Sequence, residues 1–341
     1  MNLAGTIRAP RLELSDLLDD LLAETPPEIL GAGIDRRYWK AALLNPAHDI
    51  LQRPGKGFRS QLFESSWMLA GGAPSRHPRE LQLLVELLHA GSLIIDDIED
   101  DSETRRGEPS LHRRFGVPIA LNTGNWLYFL PLALLSRLNL PRDLTLALYT
   151  DIADAIVQCH QGQALDLSAH VTSVRQSEMP GLVRLSTQLK TGALTRLAAT
   201  MGARAAAATP SRLAAVARFG ARIGVGLQML DDWSGIAADA RRHKGVEDLR
   251  LGRPTWPWAW LAERSDDVSY AAAVRDAEHL SIDWEAERLR ERLRTRLVDA
   301  VPGEIAAFLA ETLAELHATL GPSPALEDLT RHVEQLSKAY G

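Results

Sequence analysis

The chain has 341 residues, 45% of them hydrophobic, and its 38 Lys and Arg against 44 Asp and Glu give a formal net charge of −6. That length supports a sizeable core, and the acidic balance, with basic residues dispersed, excludes the basic patch or stripe of a nucleic-acid binder. A lone cysteine, Cys159, excludes an intramolecular disulfide and suits a reducing, cytoplasmic setting, while the first ten residues lack the apolar core of a signal peptide and no run of about eighteen apolar residues marks a transmembrane segment.

Apolar residues recur at three- and four-residue spacing over 12–22, 62–69, 81–95, 127–138, 144–167, 182–201, 213–230 and 305–320. This predicts an all-α chain in which strand alternation is absent. Breaks fall where Gly, Pro and short polar residues cluster, at 71–75, 140–141, 209–211 and 321–324. Pro141 and Pro210 stand where new helices begin, and the alanine-rich stretch 198–208 reads as a helix built for close packing. With no linker composition anywhere, a single large helical domain over 1–341 is expected.

The run Leu93-Ile-Ile-Asp-Asp-Ile-Glu-Asp-Asp-Ser-Glu-Thr-Arg-Arg-Gly107 carries the strongest chemical signal. On a helix, Asp96, Asp97 and Asp100 crowd like charges onto one side after an apolar turn. A hard divalent cation such as Mg²⁺ relieves that repulsion and, held by few carboxylates, completes its shell with water and phosphate oxygens. Taken alone the run fits a solvated helix end equally well. A second apolar turn followed by Asp231-Asp232, in Leu227-Gln-Met-Leu-Asp-Asp-Trp-Ser-Gly235, favours a metal site with acidic pairs on opposite walls of one cavity. Within each pair, neighbours diverge by about 100°, so Asp97 and Asp232 are expected to stand behind Asp96 and Asp231 or to contact water.

Several motifs then follow in a recognisable order. Gly55-Lys56-Gly57-Phe58-Arg59 is a basic element, His89 lies seven residues before Asp96, and Asp96-Asp97-Ile98-Glu99-Asp100 reads DDxxD with Arg105-Arg106-Gly107 as a basic tail. Further on come Gly162-Gln163-Ala164-Leu165-Asp166, Lys190-Thr191-Gly192, Gln228 with Asp231-Asp232, Lys244 with Asp248, and Gly252-Arg253-Pro254-Thr255. In this order the chain resembles the trans-isoprenyl diphosphate synthases, the head-to-tail polyprenyl synthetases, from about residue 54 to 257. Two departures stand out: Gly235 occupies the place of the second motif's third aspartate, and Arg253 replaces a lysine.

The resemblance implies an isoprenoid synthase bundle around a central cavity, a homodimer, and Mg²⁺-dependent condensation of isopentenyl diphosphate with an allylic prenyl diphosphate. It assigns Asp96, Asp97, Asp100, Asp231 and Asp232 to metal, Arg105, Lys190 and Lys244 to the departing diphosphate, and Lys56, Arg59, His89 and Arg106 to the diphosphate of isopentenyl diphosphate. Thr191 and Gln228 would face the carbocation. Taken singly His89 reads as a core histidine, and its offset from Asp96 reverses that reading. Gly91 and Ser92, just before the first motif, would set product length, with Gly91 leaving the tunnel open and His160, Trp126 and Phe129 closing its floor at geranylgeranyl length. Gly235 keeps open a terpene cyclase or a non-catalytic subunit, and the second diphosphate cradle favours the synthase. The alternating Trp256, Trp258 and Trp260 read as packing.

Overall fold

The structure, a computed structural model, describes residues 37–340 apart from 77, 279, 281 and 282, so the helix expected over 12–22 lies outside it. The described residues fall in two compact units, drawn from Met1–Gln61 with Pro78–Tyr149 and from Leu62–His77 with Thr150–Gly341. All the longer elements are helices, and the all-α expectation holds.

In the first unit a π-helical stretch, Lys40–Leu44, leads into α1 (Asn45–Gln52), followed by the first turn of α2 (Phe58–Leu69) and by α3 (Arg79–Glu99). The periodicity over 81–95 matures into α3, whose Leu84, Leu88, Gly91 and Ile94 are buried. It packs on α5 (Val117–Leu135) at short range because glycines face each other: a Cβ on Gly91 would lie 3.0 Å from the Gly124 carbonyl oxygen, and one on Gly124 would lie 2.7 Å from Ile95 Cδ1. Helix α3 stops where Asp101 turns to φ +51°, the left-handed conformation that ends many helices.

Beyond it lies a two-stranded hairpin that the sequence pattern does not announce. Strands β1 (Thr104–Arg105) and β2 (Glu108–Pro109) pair antiparallel, with Arg105 opposite Glu108. Arg106 at φ +55° and Gly107 at φ +83° form the two-residue turn that suits a tight hairpin. Two residues per strand are too few to leave an alternating signature. Helix α4 (Leu111–Phe115) precedes α5, and the first turns of α6 (Arg142–Ser168) complete the unit.

The second unit continues α6 through α7 (Met179–Thr187), a π-helical stretch Gln188–Gly192, and α8 (Ala193–Ala205). Then come α9 (Pro210–Ala237), α10 (Arg242–Arg250), α11 (Trp256–Arg264), α12 (Asp267–Ala277), α13 (Asp283–Leu297), α14 (Val301–Leu320) and α15 (Pro324–Tyr340). Helix α9 is the axis of its core. Thr209 caps it, its Oγ1 accepting from Arg212 N at 3.4 Å, and Pro210 occupies the first turn as expected. The small residues of α8 let α9 approach so closely that a Cβ on Gly224 would meet Thr195 Oγ1 at 2.1 Å.

By length and mean hydropathy α9 passes as long and apolar enough to cross a membrane, although Arg218 and Arg222 interrupt it, so the expectation that no run of about eighteen apolar residues exists still holds. With 56% of its most apolar window buried, it has the character of a core helix. Trp256, Trp258 and Trp260 are buried, and Trp256 and Trp260 lie 5.5 Å apart between ring centroids, the packing role expected of them.

Candidate active site

On the first unit, the 3.6-residue period of α3 sorts its motif residues onto two faces. His89, Ser92, Asp96 and Asp100 are all half-buried and share one face. Ser60 ties α2 to that helix, since its N–H and hydroxyl both donate to Glu86 Oε1, at 3.1 and 2.6 Å, and its carbonyl accepts from Gln82 Nε2 at 2.8 Å. Arg59 is thereby held with Nη1 3.1 Å from His89 Nε2. Burial first, and then the charges of Arg59, Arg106 and Arg105, hold His89 well below the ordinary histidine range. The neutral ring accepts from Arg59 through Nε2, which leaves the proton on Nδ1, an atom with no partner among the described residues. Lys56 is exposed on the loop before α2, and Arg106 packs its guanidinium where a Cβ on Gly55 would stand. Arg59, Arg106 and Arg105 therefore bring their charge to bear on His89 in the middle of α3.

Asp97 departs from the metal-binding expectation. It is 1% exposed, and its Oδ1 accepts from Arg105 Nε at 2.8 Å and from Nη2. Burial pushes its pKa up, against the pull of Arg105. Being 100° round the helix from Asp96, Asp97 is committed to anchoring the hairpin. Arg105 is correspondingly engaged, while Asp101 pairs with Arg113 at 2.7 Å.

Two chain-length expectations also need correcting. Gly91 faces the backbone of α5, with Leu127 Cβ 3.2 Å from where its Cβ would be, so it serves helix contact rather than an open tunnel. His160 is exposed on α6, its Nδ1 2.9 Å from the Ile156 carbonyl, and does not form a buried floor. Trp126 is half-buried on α5, whereas Phe129 is 66% exposed.

On the second unit, α9 presents Gln228, Asp231 and Asp232. Asp231 is clamped by Lys244 Nζ and by Arg241 Nη1, the latter at 2.8 Å. Burial works to raise its pKa, yet the two cations outweigh burial and hold it at about 2. Asp232 is buried and occupied: Gln228 Nε2 donates to Oδ1 at 2.7 Å and Trp256 N to Oδ2 at 3.0 Å. It caps α11, which corrects its assignment to metal, and burial raises its pKa to about 6.

Thr191 Oγ1 donates to Gln228 Oε1 at 2.9 Å, so Thr191, Gln228 and Asp232 form one hydrogen-bonded file. Lys190 pairs with Asp166 at 2.7 Å, and Arg253 donates to the Asp166 carbonyl. The π-helical stretch at Gln188–Gly192 carries both Lys190 and Thr191, a widened turn of the kind found at functional positions.

Arg241 was not anticipated. It sits in the connection between the two motifs, where no residue spacing announces its reach back to Asp231. Asp248 is a second residue of this stretch whose setting the sequence does not disclose. It is half-buried on α10, and burial lifts its pKa to about 7 although Lys244 opposes this. Among the described residues no three His, Cys, Asp or Glu side chains converge as a preformed metal cage. The half-buried pair Asp96 and Asp100 supplies hard oxygen donors one turn apart, the sparse donor set on which a strongly hydrated cation is shared with phosphate oxygens.

Residues 40–279 match the sequence model of the polyprenyl synthetase family. The chain is 30% identical over 299 residues to geranylgeranyl pyrophosphate synthase 2 of Zymoseptoria tritici, covering 85% of this chain and 86% of that one. It is 29% identical to the geranylgeranyl pyrophosphate synthase of Mucor circinelloides f. lusitanicus, with 86% and 93% covered. Its fold is shared with a Corynebacterium glutamicum geranylgeranyl pyrophosphate synthase solved with isoprenyl diphosphate and magnesium, at a TM-score of 0.77, 20% identity and 96% and 98% coverage. A decaprenyl diphosphate synthase from Rhodobacter capsulatus superposes with the same score, 18% identity and 97% and 100% coverage. The chain belongs to the polyprenyl synthetase family and is a trans-prenyltransferase.

Proposed function

We propose that this transferase condenses isopentenyl diphosphate head-to-tail with an allylic prenyl diphosphate and stops at geranylgeranyl length. One observation carries the two-substrate reading: α3 joins an acidic end, Asp96 and Asp100, to a cradle of Arg59, Arg106 and the neutral His89 on the same unit. A one-substrate cyclase has little use for the cradle. The length assignment draws on the named relatives, because the shared fold also serves a decaprenyl synthase and does not discriminate.

In this reading Lys56, Arg59 and Arg106 bind the diphosphate of isopentenyl diphosphate, with the His89 Nδ1–H as a further donor. Asp96 and Asp100 are the first unit's candidate ligands of Mg²⁺, and Asp231 is the second unit's own candidate. Bound there, Mg²⁺ supplies positive charge that stabilises a departing diphosphate. Lys190 and Lys244 add cationic donors on the second unit, each oriented by a carboxylate, Asp166 and Asp231. Thr191 and Gln228 present oxygen dipoles, held in register by Asp232, that favour a nearby carbocation.

We further assign both units to one isoprenoid synthase domain, supported by the family match running through both. A cytoplasmic homodimer is the accompanying reading, supported by Val117, Leu121 and Phe129, large apolar residues exposed on α5.

The deciding experiment incubates the protein with Mg²⁺, isopentenyl diphosphate and dimethylallyl, geranyl or farnesyl diphosphate, and chromatographs the dephosphorylated products. Geranylgeraniol from all three primers is expected. Cyclic products from an allylic primer alone would overturn the transferase reading, and a longer main product would overturn the length.

A further inference from the structure

Arg53 follows α1 and is 5% exposed, a buried guanidinium on the segment that opens the G-K-x-x-R element. Its Nε and Nη2 donate to Asp49 Oδ1, one turn back, at 2.9 and 2.5 Å. Its Nη1 donates to the Arg105 carbonyl at 3.0 Å and its Nη2 to the Pro109 carbonyl at 2.8 Å. Those carbonyls lie one on each strand of the hairpin.

The grip is mutual. Arg106 Nη1 donates to the Arg53 carbonyl at 3.3 Å, and Gly55 leaves room for the Arg106 guanidinium, which would lie 3.0 Å from a Cβ there. Asp49 Oδ2 also pairs with Arg114 of α4 at 2.5 Å, just past the hairpin. A buried charge is expensive unless its donors are met, and well-packed apolar side chains of similar volume often serve stability as well. What an apolar residue lacks is a planar fork that bonds two strands at fixed spacing. The turn so held includes Arg106 in the left-handed region, a conformation that persists where its surroundings determine it.

We propose that Arg53, oriented by Asp49, is a positioning residue for the diphosphate cradle: it fixes the hairpin so that Arg105 turns onto Asp97 and Arg106 turns toward Arg59 and His89. The inference rests on assigning that cradle to isopentenyl diphosphate.

The test is a kinetic double-mutant cycle on the full chain with Arg53→Lys, Arg106→Ala and the double variant, alongside thermal melts. Lysine keeps the charge and loses the fork, so Arg53→Lys should raise KM for isopentenyl diphosphate about tenfold, the equivalent of one charge-assisted bond, and the allylic KM much less. Arg106→Ala should do the same. The double variant should be no worse than Arg106→Ala, because a positioning residue acts through the residue it positions.

Additive effects in the cycle, or an Arg53→Lys protein with a lowered melting temperature and unchanged KM, would overturn the proposal. If Arg53→Lys does not fold, Asp49→Asn, which removes the anchor and keeps the guanidinium, takes its place with the same expectations. Should Arg106→Ala leave KM for isopentenyl diphosphate unchanged, the cradle assignment itself fails and the inference with it. A failure confined to Arg53→Lys leaves the cradle standing.

Discussion

Substituting Gly91 and Ser92 in turn separates helix packing from control of product length. A Cβ at position 91 meets the Gly124 carbonyl oxygen at 3.0 Å, Leu127 Cβ at 3.2 Å and the Leu127 carbonyl carbon at 3.4 Å. The first of these is backbone of α5 and cannot rotate away, so α3 and α5 must separate by a few tenths of an ångström. Overpacking of this kind costs about 1–3 kcal/mol, and the roughly 1 kcal/mol by which alanine exceeds glycine in a helix interior offsets part of it. Gly91→Ala should therefore lose up to about 2 kcal/mol, and Gly91→Phe, which adds a ring to the same contact, about 3 kcal/mol or more.

Ser92 lies about 40° round the helix from Asp96, whereas Gly91 lies about 140° away. A ring at 92 thus projects on the Asp96 side. Urea unfolding midpoints with product chromatography decide the matter. Gly91→Phe should unfold earlier, with any surviving activity at unchanged product length, and Ser92→Phe should keep near-normal stability and shorten the product. A Gly91→Phe enzyme of normal stability giving farnesyl diphosphate would refute the packing argument.

Asp96→Ala and Asp100→Ala should each lower kcat/KM by at least about a hundredfold with the circular dichroism unchanged, and near-normal turnover at saturating Mg²⁺ would sink the metal assignment. Arg59→Ala should raise KM for isopentenyl diphosphate about tenfold, and a larger rise in the allylic KM would mean the subsites are exchanged. His160→Ala should leave product length unchanged, because the exposed ring encloses nothing; a longer product by chromatography would restore it to the floor. Asp248 titrates in the fold at about 7, against 3.8 when unperturbed, so its contribution to stability is fully present below pH 4 and is lost as pH rises through 7. Asp248→Asn should accordingly be more stable than the parent at pH 8, by about 2–3 kcal/mol more than at pH 5 in urea titrations without added metal, and a gain independent of pH would refute the burial argument.

Much of α3 was legible because its apolar residues keep a helical period through 95 and the acidic run follows without a break. The same pattern placed α6 and α14 to within a few residues and α9 at its start, although α9 runs seven residues past 230. Helix α13 is hard to read, since its buried stripe of Ala286, Leu289, Leu293 and Leu297 includes the charged Arg290 and lies among many other charges, and α15 likewise buries only Leu326, Leu329, Val333 and Leu336. In the candidate site, residue types were readable from motif order, but side-chain commitments were not. Asp97 turns to Arg105 and Asp232 to the start of α11 because helix phase sends adjacent residues to different neighbours, and only the tertiary contacts say which neighbour waits there. Gly91 carried the opposite lesson: an absent side chain reads as open space in sequence and is, in the fold, the place where another backbone lies.

Gly235 extends that lesson to the second motif. A Cβ there would lie 3.2 Å from Gly245 Cα and 3.3 Å from its nitrogen, while a Cβ on Gly245 would come within 2.1 Å of the Gly235 carbonyl oxygen. Helices α9 and α10 therefore meet backbone to backbone, and Arg290 of α13 fastens the junction by donating to the Gly235 carbonyl at 2.9 Å. A third aspartate at 235 would press on the α10 backbone at Gly245, the residue next to Lys244. Asp248, one turn further along α10, brings a third acidic group near Asp231 and Asp232, and the three feel one another's charge without converging into a cage. Lys244 and Arg241 outweigh burial and hold Asp231 at about 2, so this carboxylate is ionised at neutral pH and is matched there by two cations, even though its motif is one aspartate short.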